Sequence, residues 1–143
     1  MTKRILVAVD GSNAAGQALE FAAGEWPEAA LTALYVINPA DSTTGAEGGF
    51  PGAMDQWYDS ATKRGDRILT EAAGRVDRSI ETRTEVGRPT ATILEVAEGE
   101  DDAEAFDHIV LASRGRTGLS RVLLGSVAEG VVRRAEVPVT VVR

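Results

Sequence analysis

The chain has 143 residues, about the size of one domain, and its 43% hydrophobic and 26% charged residues suit a folded core in water. Without cysteine it cannot form a disulfide, an iron–sulfur cluster, a thiolate zinc site or a catalytic thiol. A net charge of −7, from 22 acids against 15 bases, argues against a nucleic-acid or anionic-membrane footprint, since both need clustered positive charge.

The opening MTKRILVAVDGS has too short an apolar run for a secretory leader, and no later stretch is long enough to span a bilayer. A cytoplasmic protein is expected. Residues 5–9 (ILVAV) are a short, continuous, β-branched run ended by Asp10-Gly11, the pattern of a strand buried on both faces. Ser12 suits the cap of a helix reaching about Gly24, with Leu19, Ala22 and Ala23 on its buried side. Residues 30–37 form a second strand, stopped by Asn38-Pro39. The stretch 38–52 (NPADSTTGAEGGFPG) is long for a connection, which marks a functional or mobile loop.

Residues 54–76 read as a helix with Trp57, Ala61, Ile68 and Ala72 on one face, weakened at Gly65 by roughly 1 kcal/mol relative to Ala. Residues 80–86 (IETRTEV) alternate apolar and polar, as a strand near a sheet edge does. Pro89 opens a helix ending near Gly99, and an acidic turn (EDDAEAFD) follows. Glu100, Asp101, Asp102 and Glu104 in that turn read as a solvated surface rather than a metal cluster. Residues 108–112 (HIVLA) are a fourth strand, 113–121 a polar loop, and 125–135 a helix with Val127, Val131 and Ala135 one turn apart. The strand from Val137 to Val142 closes the chain.

Alternating strands and helices predict one α/β domain over residues 1–143, a Rossmann-like, doubly wound sheet of five parallel strands in order 3-2-1-4-5 with helices on both faces. Strands one and four then lie side by side at the switch point, where such sheets bind ligands beyond the strands' carboxyl ends. Asp10 and the loop after Ala112 leave those two ends. Charge points to the same place. From His108 to Ala128 there is no acid, and Arg114, Arg116 and Arg121 give that window +3, so the rest of the chain carries −10. An anion site and chance clustering both remain open on charge alone.

The passage ASRGRTGLSRVLLGS, from Ala112 to Ser126, joins a glycine-containing loop to a helix start. Small residues let backbone N–H groups approach an anion, and the helix end adds unpaired donors and a favourable dipole. It is neither a GxxxxGK[ST] loop nor a GxGxxG fingerprint. It resembles the G-x2-G-x9-G-[ST] signature of the universal stress protein family, with Ala112 at the first glycine, then Gly115, nine residues, and Gly125-Ser126. The opening ILVAVDGS, the strand end at Val36 and the ending GSVAEGVVRRAEVPVTVVR match as well, so the resemblance covers essentially the whole chain.

The resemblance implies an ATP-binding stress-response or regulatory protein, with or without Mg2+ beside the nucleotide. Asp10 and Val36 would lie around the adenine, Ala112, Gly115, Gly125 and Ser126 would line the ribose-triphosphate path, and Arg114 would balance phosphate charge. It also implies a homodimer through Val137–Val142. The departure at Ala112 leaves a second reading open: a dimeric interaction protein of the same fold that binds no nucleotide. With no P-loop lysine and no evident general base, ATP hydrolysis is at most weak.

Two residues keep a plain structural alternative. Asp10 either receives the adenine amine or caps the first turn, and Ser126 either holds phosphate or caps its helix. His108, the single histidine, is expected as a surface residue at the strand end away from the crevice. Trp26, Trp57 and Tyr58 are expected to pack where helices meet the core.

Overall fold

The computed structural model describes residues 2–42, 51–99, 104–114 and 124–143. Its strands are β1 (Arg4–Ala8), β2 (Ala30–Ile37), β3 (Glu81–Val86), β4 (His108–Ala112) and β5 (Val139–Val142); its helices are α1 (Asn13–Glu25), α2 (Ala53–Gly74), α3 (Pro89–Glu98) and α4 (Ser126–Arg134). The five strands are all parallel and run in the order β3-β2-β1-β4-β5. The central pair is in register at Val7 and Val110, so the turns that follow β1 and β4 diverge from neighbouring strand ends.

Alternation along each strand sorts the core into two layers. Val7, Val110, Leu31, Ala33 and Tyr35 face one side, where Leu19 and Ala22 of α1 and Leu69 and Ala72 of α2 cover them. Leu6, Leu34, Ile109 and Leu111 face the other, beneath Ile93 and Val96 of α3 and Val131 of α4. Ile5, Leu6 and Val7 are completely buried, as consecutive residues must be when helices cover both faces. The outer strand β3 keeps polar side chains in partial contact with solvent.

α1 carries no basic residue in its last turn. Arg78 supplies the charge from the loop before β3: its guanidinium donates to the carbonyls of Trp26 (3.0 Å), Ala23 (3.4 Å) and Ala29. One side chain thus serves the carbonyl-rich end of α1 and the turn that leads into β2.

Gly65 in α2 also has a packing cause. A Cβ there would lie 2.7 Å from Cδ2 of the Tyr35 ring, so the helix gives up a side chain to admit the ring.

Three expectations change. His108 is not a surface residue: it is buried, its Nε2 is 2.7 Å from Thr140 Oγ1, and its ring lies 4.8 Å from that of Trp26. The covering helix α1 extends beyond the strand it packs on, and Trp26 at its end closes over the imidazole. Burial, and secondarily the Lys3 charge, hold the His108 pKa below its ordinary value. Tyr58 is exposed, whereas its neighbour Trp57 packs against the core, since adjacent helical positions point about 100° apart. The last strand starts at Val139 rather than Val137. Pro138 has no N–H to offer, and its carbonyl accepts from Ile109 N (3.0 Å) at the edge of the ladder.

Among the described residues no helix is long and apolar enough to cross a membrane.

Candidate functional site

A cleft of about 940 Å³ opens at the carboxyl ends of the strands. That is within the range of small-molecule sites. Its walls come from the turn after β1, the end of β2, the starts of α3 and α4, and the end of β4. Asp10, Val36, Ala112, Arg114, Gly125 and Ser126 all line it. Gly115, together with Arg116, Gly118 and Arg121, lies outside the described residues.

Asp10 holds the first turn together. Its Oδ1 accepts from Ser12 N (2.9 Å), while Ser12 Oγ caps α1 by accepting from Ala15 N (3.1 Å). Gly11 between them has φ +88°, a conformation that favours glycine. The capping role left open in the sequence is therefore shared, with Ser12 as the cap proper. Asp10 is half-buried on the cleft wall. Val36 is half-buried and packs on the α3–α4 face of the sheet.

Ala112 ends β4, and its methyl packs against the core layer under α1 and α2. Beyond it, Ser113 N donates to Val142 O (2.9 Å), and Gly125 N donates to Ser113 O (2.6 Å). That second bond ties the residue before α4 to the end of β4. Gly125 is the residue before the helix and has no side chain to cap it, so Ser126 is the first helical residue rather than the cap. Its side chain is exposed on the cleft and makes no hydrogen bond among the described residues. The first helical bond runs from Glu129 N to Gly125 O. The N–H groups of Ser126, Val127 and Ala128 consequently have no helical acceptor, and all three residues line the cleft. A helix start with free donors favours negative charge.

The start of α3 was not legible as part of the site, although Gly87, Arg88, Pro89, Thr90 and Ala91 all line the cleft. Pro89 is the first helical residue and Arg88 the one before it. The signal for it lies in Gly-Arg-Pro-Thr, which marks a helix start directly after a strand. Arg134, from the far end of α4, reaches the same cleft. Among the described residues neither Arg88 nor Arg134 has a carboxylate within ion-pair distance. The charged residues described in the wall are Arg88, Arg114 and Arg134 against Asp10 and Asp41, a positive balance in a chain of −7. The arrangement offers an apolar floor, a carboxylate, backbone and hydroxyl donors, and guanidinium groups. Together these suit a ligand that joins a flat, partly apolar moiety to an anionic one.

Comparison with known proteins agrees with this architecture. The model of the universal stress protein family matches residues 1–143. Universal stress protein YxiE of Bacillus subtilis is 32% identical over the full length of both chains. Among solved structures, protein MJ0577, whose biochemical function was assigned from its structure, superposes with a TM-score of 0.76 at 27% identity, covering 99% of this chain and 96% of the other. A universal stress protein in complex with cAMP superposes with a TM-score of 0.64 at 26% identity, covering 99% and 97%.

Proposed function

The chain belongs to the universal stress protein family, and from that premise we propose that it binds ATP as a stress-response or regulatory protein. The observation that carries the reading is the start of α4. Three N–H groups without a helical acceptor, a Ser126 hydroxyl with no hydrogen bond among the described residues, and a positive wall line one cleft where β1 and β4 part. In this reading Ser126, Gly125 and Arg114 hold the phosphates, and Gly115 joins them. Asp10 and Val36 border the adenine. A neighbour crystallised with cAMP supports an adenine nucleotide as the ligand class. In this reading magnesium accompanies the triphosphate.

Ala112 favours the competing reading, a dimeric interaction protein without nucleotide, because the family signature has glycine there. Its methyl turns into the core layer under α1 and α2, which supports nucleotide binding.

The same reading includes a homodimer through Val137–Val142. β5 pairs on one side only, with β4, so the other row of backbone donors and acceptors lies at the sheet edge. Apolar edges of this kind invite pairing with another chain. Light scattering across a concentration series should give the dimer mass; a monomer mass throughout would reject the pairing.

Ligand at about 100 times its Kd stabilises a fold by about 2.7 kcal/mol, or roughly 5–10 °C in a chain of this size. Mg-ATP is expected to raise the melting temperature by that amount and to slow amide exchange at residues 126–128. Ser126→Ala should weaken binding about tenfold or more, as loss of a hydrogen bond to a charged group does, and leave the unliganded melting temperature unchanged. If neither ATP, ADP nor cAMP moves the melting temperature or the exchange rates, nucleotide binding is wrong and the interaction-protein reading stands.

A further inference from the structure

We infer that Gly130 is a positioning residue of the cleft: by admitting Thr90 it seats the start of α3 against α4, so that two helix starts serve one phosphate chain. This rests on the nucleotide reading above. It adds a residue that lies outside the family signature and is not itself part of the cleft wall.

The contact is steric and specific. Gly130 lies inside α4, where glycine is otherwise unfavourable. A Cβ at that position would lie 2.7 Å from Thr90 Cγ2, 3.0 Å from Thr90 Oγ1 and 3.4 Å from Thr90 Cβ. An unstrained pair of carbons sits about 3.5–4.0 Å apart. Both branches of the threonine face the glycine. Turning χ1 by one staggered step moves one branch away, but at least one of the two close positions stays filled. A side chain at position 130 therefore has to push the helices apart.

Location makes this packing contact matter to the site. Gly130 comes four residues after Ser126, so the two share one flank of α4, a single turn of about 5.4 Å apart. Thr90 is the second residue of α3. The contact thus places the first turn of α3 beside the flank of α4 that carries Ser126. Both starts line the cleft, α3 with Arg88, Thr90 and Ala91, and α4 with Ser126, Val127 and Ala128. The first helical bond of α3 runs from Thr92 N to Arg88 O (2.9 Å). The N–H groups of Thr90 and Ala91 consequently have no helical acceptor, as is also true of residues 126–128.

Two helix starts brought together repel, because both carry partial positive charge, and Arg88 adds a full one. Close packing at Gly130 holds them side by side. An anion between them turns the repulsion into attraction to a shared partner. A chain of phosphates profits from that arrangement and an uncharged base does not. The effect of Gly130 therefore grows with the number of phosphates.

Calorimetric titration of the full chain, Gly130→Ala, Thr90→Ala and the double variant with ATP, ADP and AMP tests this. Gly130→Ala should bind ATP about tenfold more weakly, the worth of one hydrogen bond to a charged group, with a smaller factor for ADP and the smallest for AMP. Thr90→Ala removes both branches and leaves only a Cβ 3.4 Å away. The double variant should then bind ATP within about twofold of Thr90→Ala alone. The inference is rejected if Gly130→Ala binds ATP like the unaltered chain. Equal loss for all three nucleotides also rejects it, since general damage to the fold would give that result. Should Gly130→Ala alone not fold, the double variant decides: affinity matching Thr90→Ala supports the seat, and a deficit of about tenfold rejects it. Failure of the unaltered chain to bind any of the three appears in the first titration and removes the nucleotide reading itself.

Discussion

Replacing Gly65 by alanine sets two effects of opposite sign against each other, and the geometry decides between them. Alanine in the middle of a helix is better than glycine by roughly 1 kcal/mol. The new methyl, however, would lie 2.7 Å from Cδ2 of the ring of Tyr35, a residue that is itself only 7% exposed. Forcing an extra carbon into a packed core costs about 1–3 kcal/mol. The net expectation is a loss of about 1 kcal/mol in Gly65→Ala, read from urea denaturation followed by tryptophan fluorescence. The cause is isolated by repeating the change in Tyr35→Leu, where the ring is gone. There the propensity gain should stand alone, and Gly65→Ala should stabilise by up to about 1 kcal/mol. The coupling between the two sites is then about 2 kcal/mol, well above the roughly 0.5 kcal/mol seen for independent positions. A stabilising Gly65→Ala in the unaltered chain, or equal effects in both backgrounds, would refute the claim that Gly65 exists to seat Tyr35.

Arg78→Ala strips charged donors from the carbonyls of Trp26 and Ala29, and Ala29 is buried; a loss of about 2–3 kcal/mol is expected in the same urea assay. Arg78→Lys should recover only part of it, because one ammonium cannot span three carbonyls. His108, with its folded pKa lowered by burial and by Lys3, takes up its proton more readily when unfolded. Its contribution is constant above the unfolded pKa of about 6.5 and is lost as pH falls below that value, with a slope of at most about 1.4 kcal/mol per pH unit until the folded pKa is reached. In His108→Gln the urea midpoint should depend less on pH between about 5.5 and 7.5; an unchanged dependence would place the titration elsewhere. Thr62→Val removes the one fully buried, unpartnered side-chain oxygen found among the described residues and should stabilise by about 1 kcal/mol. A loss of stability there would mean that the hydroxyl has a partner after all.

Most of the architecture was legible because two signals coincided. The continuous runs ILVAV and HIVLA have no polar face, so they had to be central strands, and IETRTEV has one, so it had to lie outward. Crossover handedness and short connections then left little freedom in strand order. His108 defeated the reading because its burial comes from Trp26, eighty-two positions earlier, whose ring closes over it from the end of α1. No window of sequence around residue 108 contains that contact. Arg78 was opaque for the same reason: its acceptors lie 49 to 55 residues away.

The candidate site divides along a similar line. Gly125 and Ser126 were readable because their role is local: a helix start exposes donors whatever surrounds it. Arg88 and Arg134 were not, since a surface arginine means little until the fold brings two helices to one cleft, where neither finds a carboxylate among the described residues.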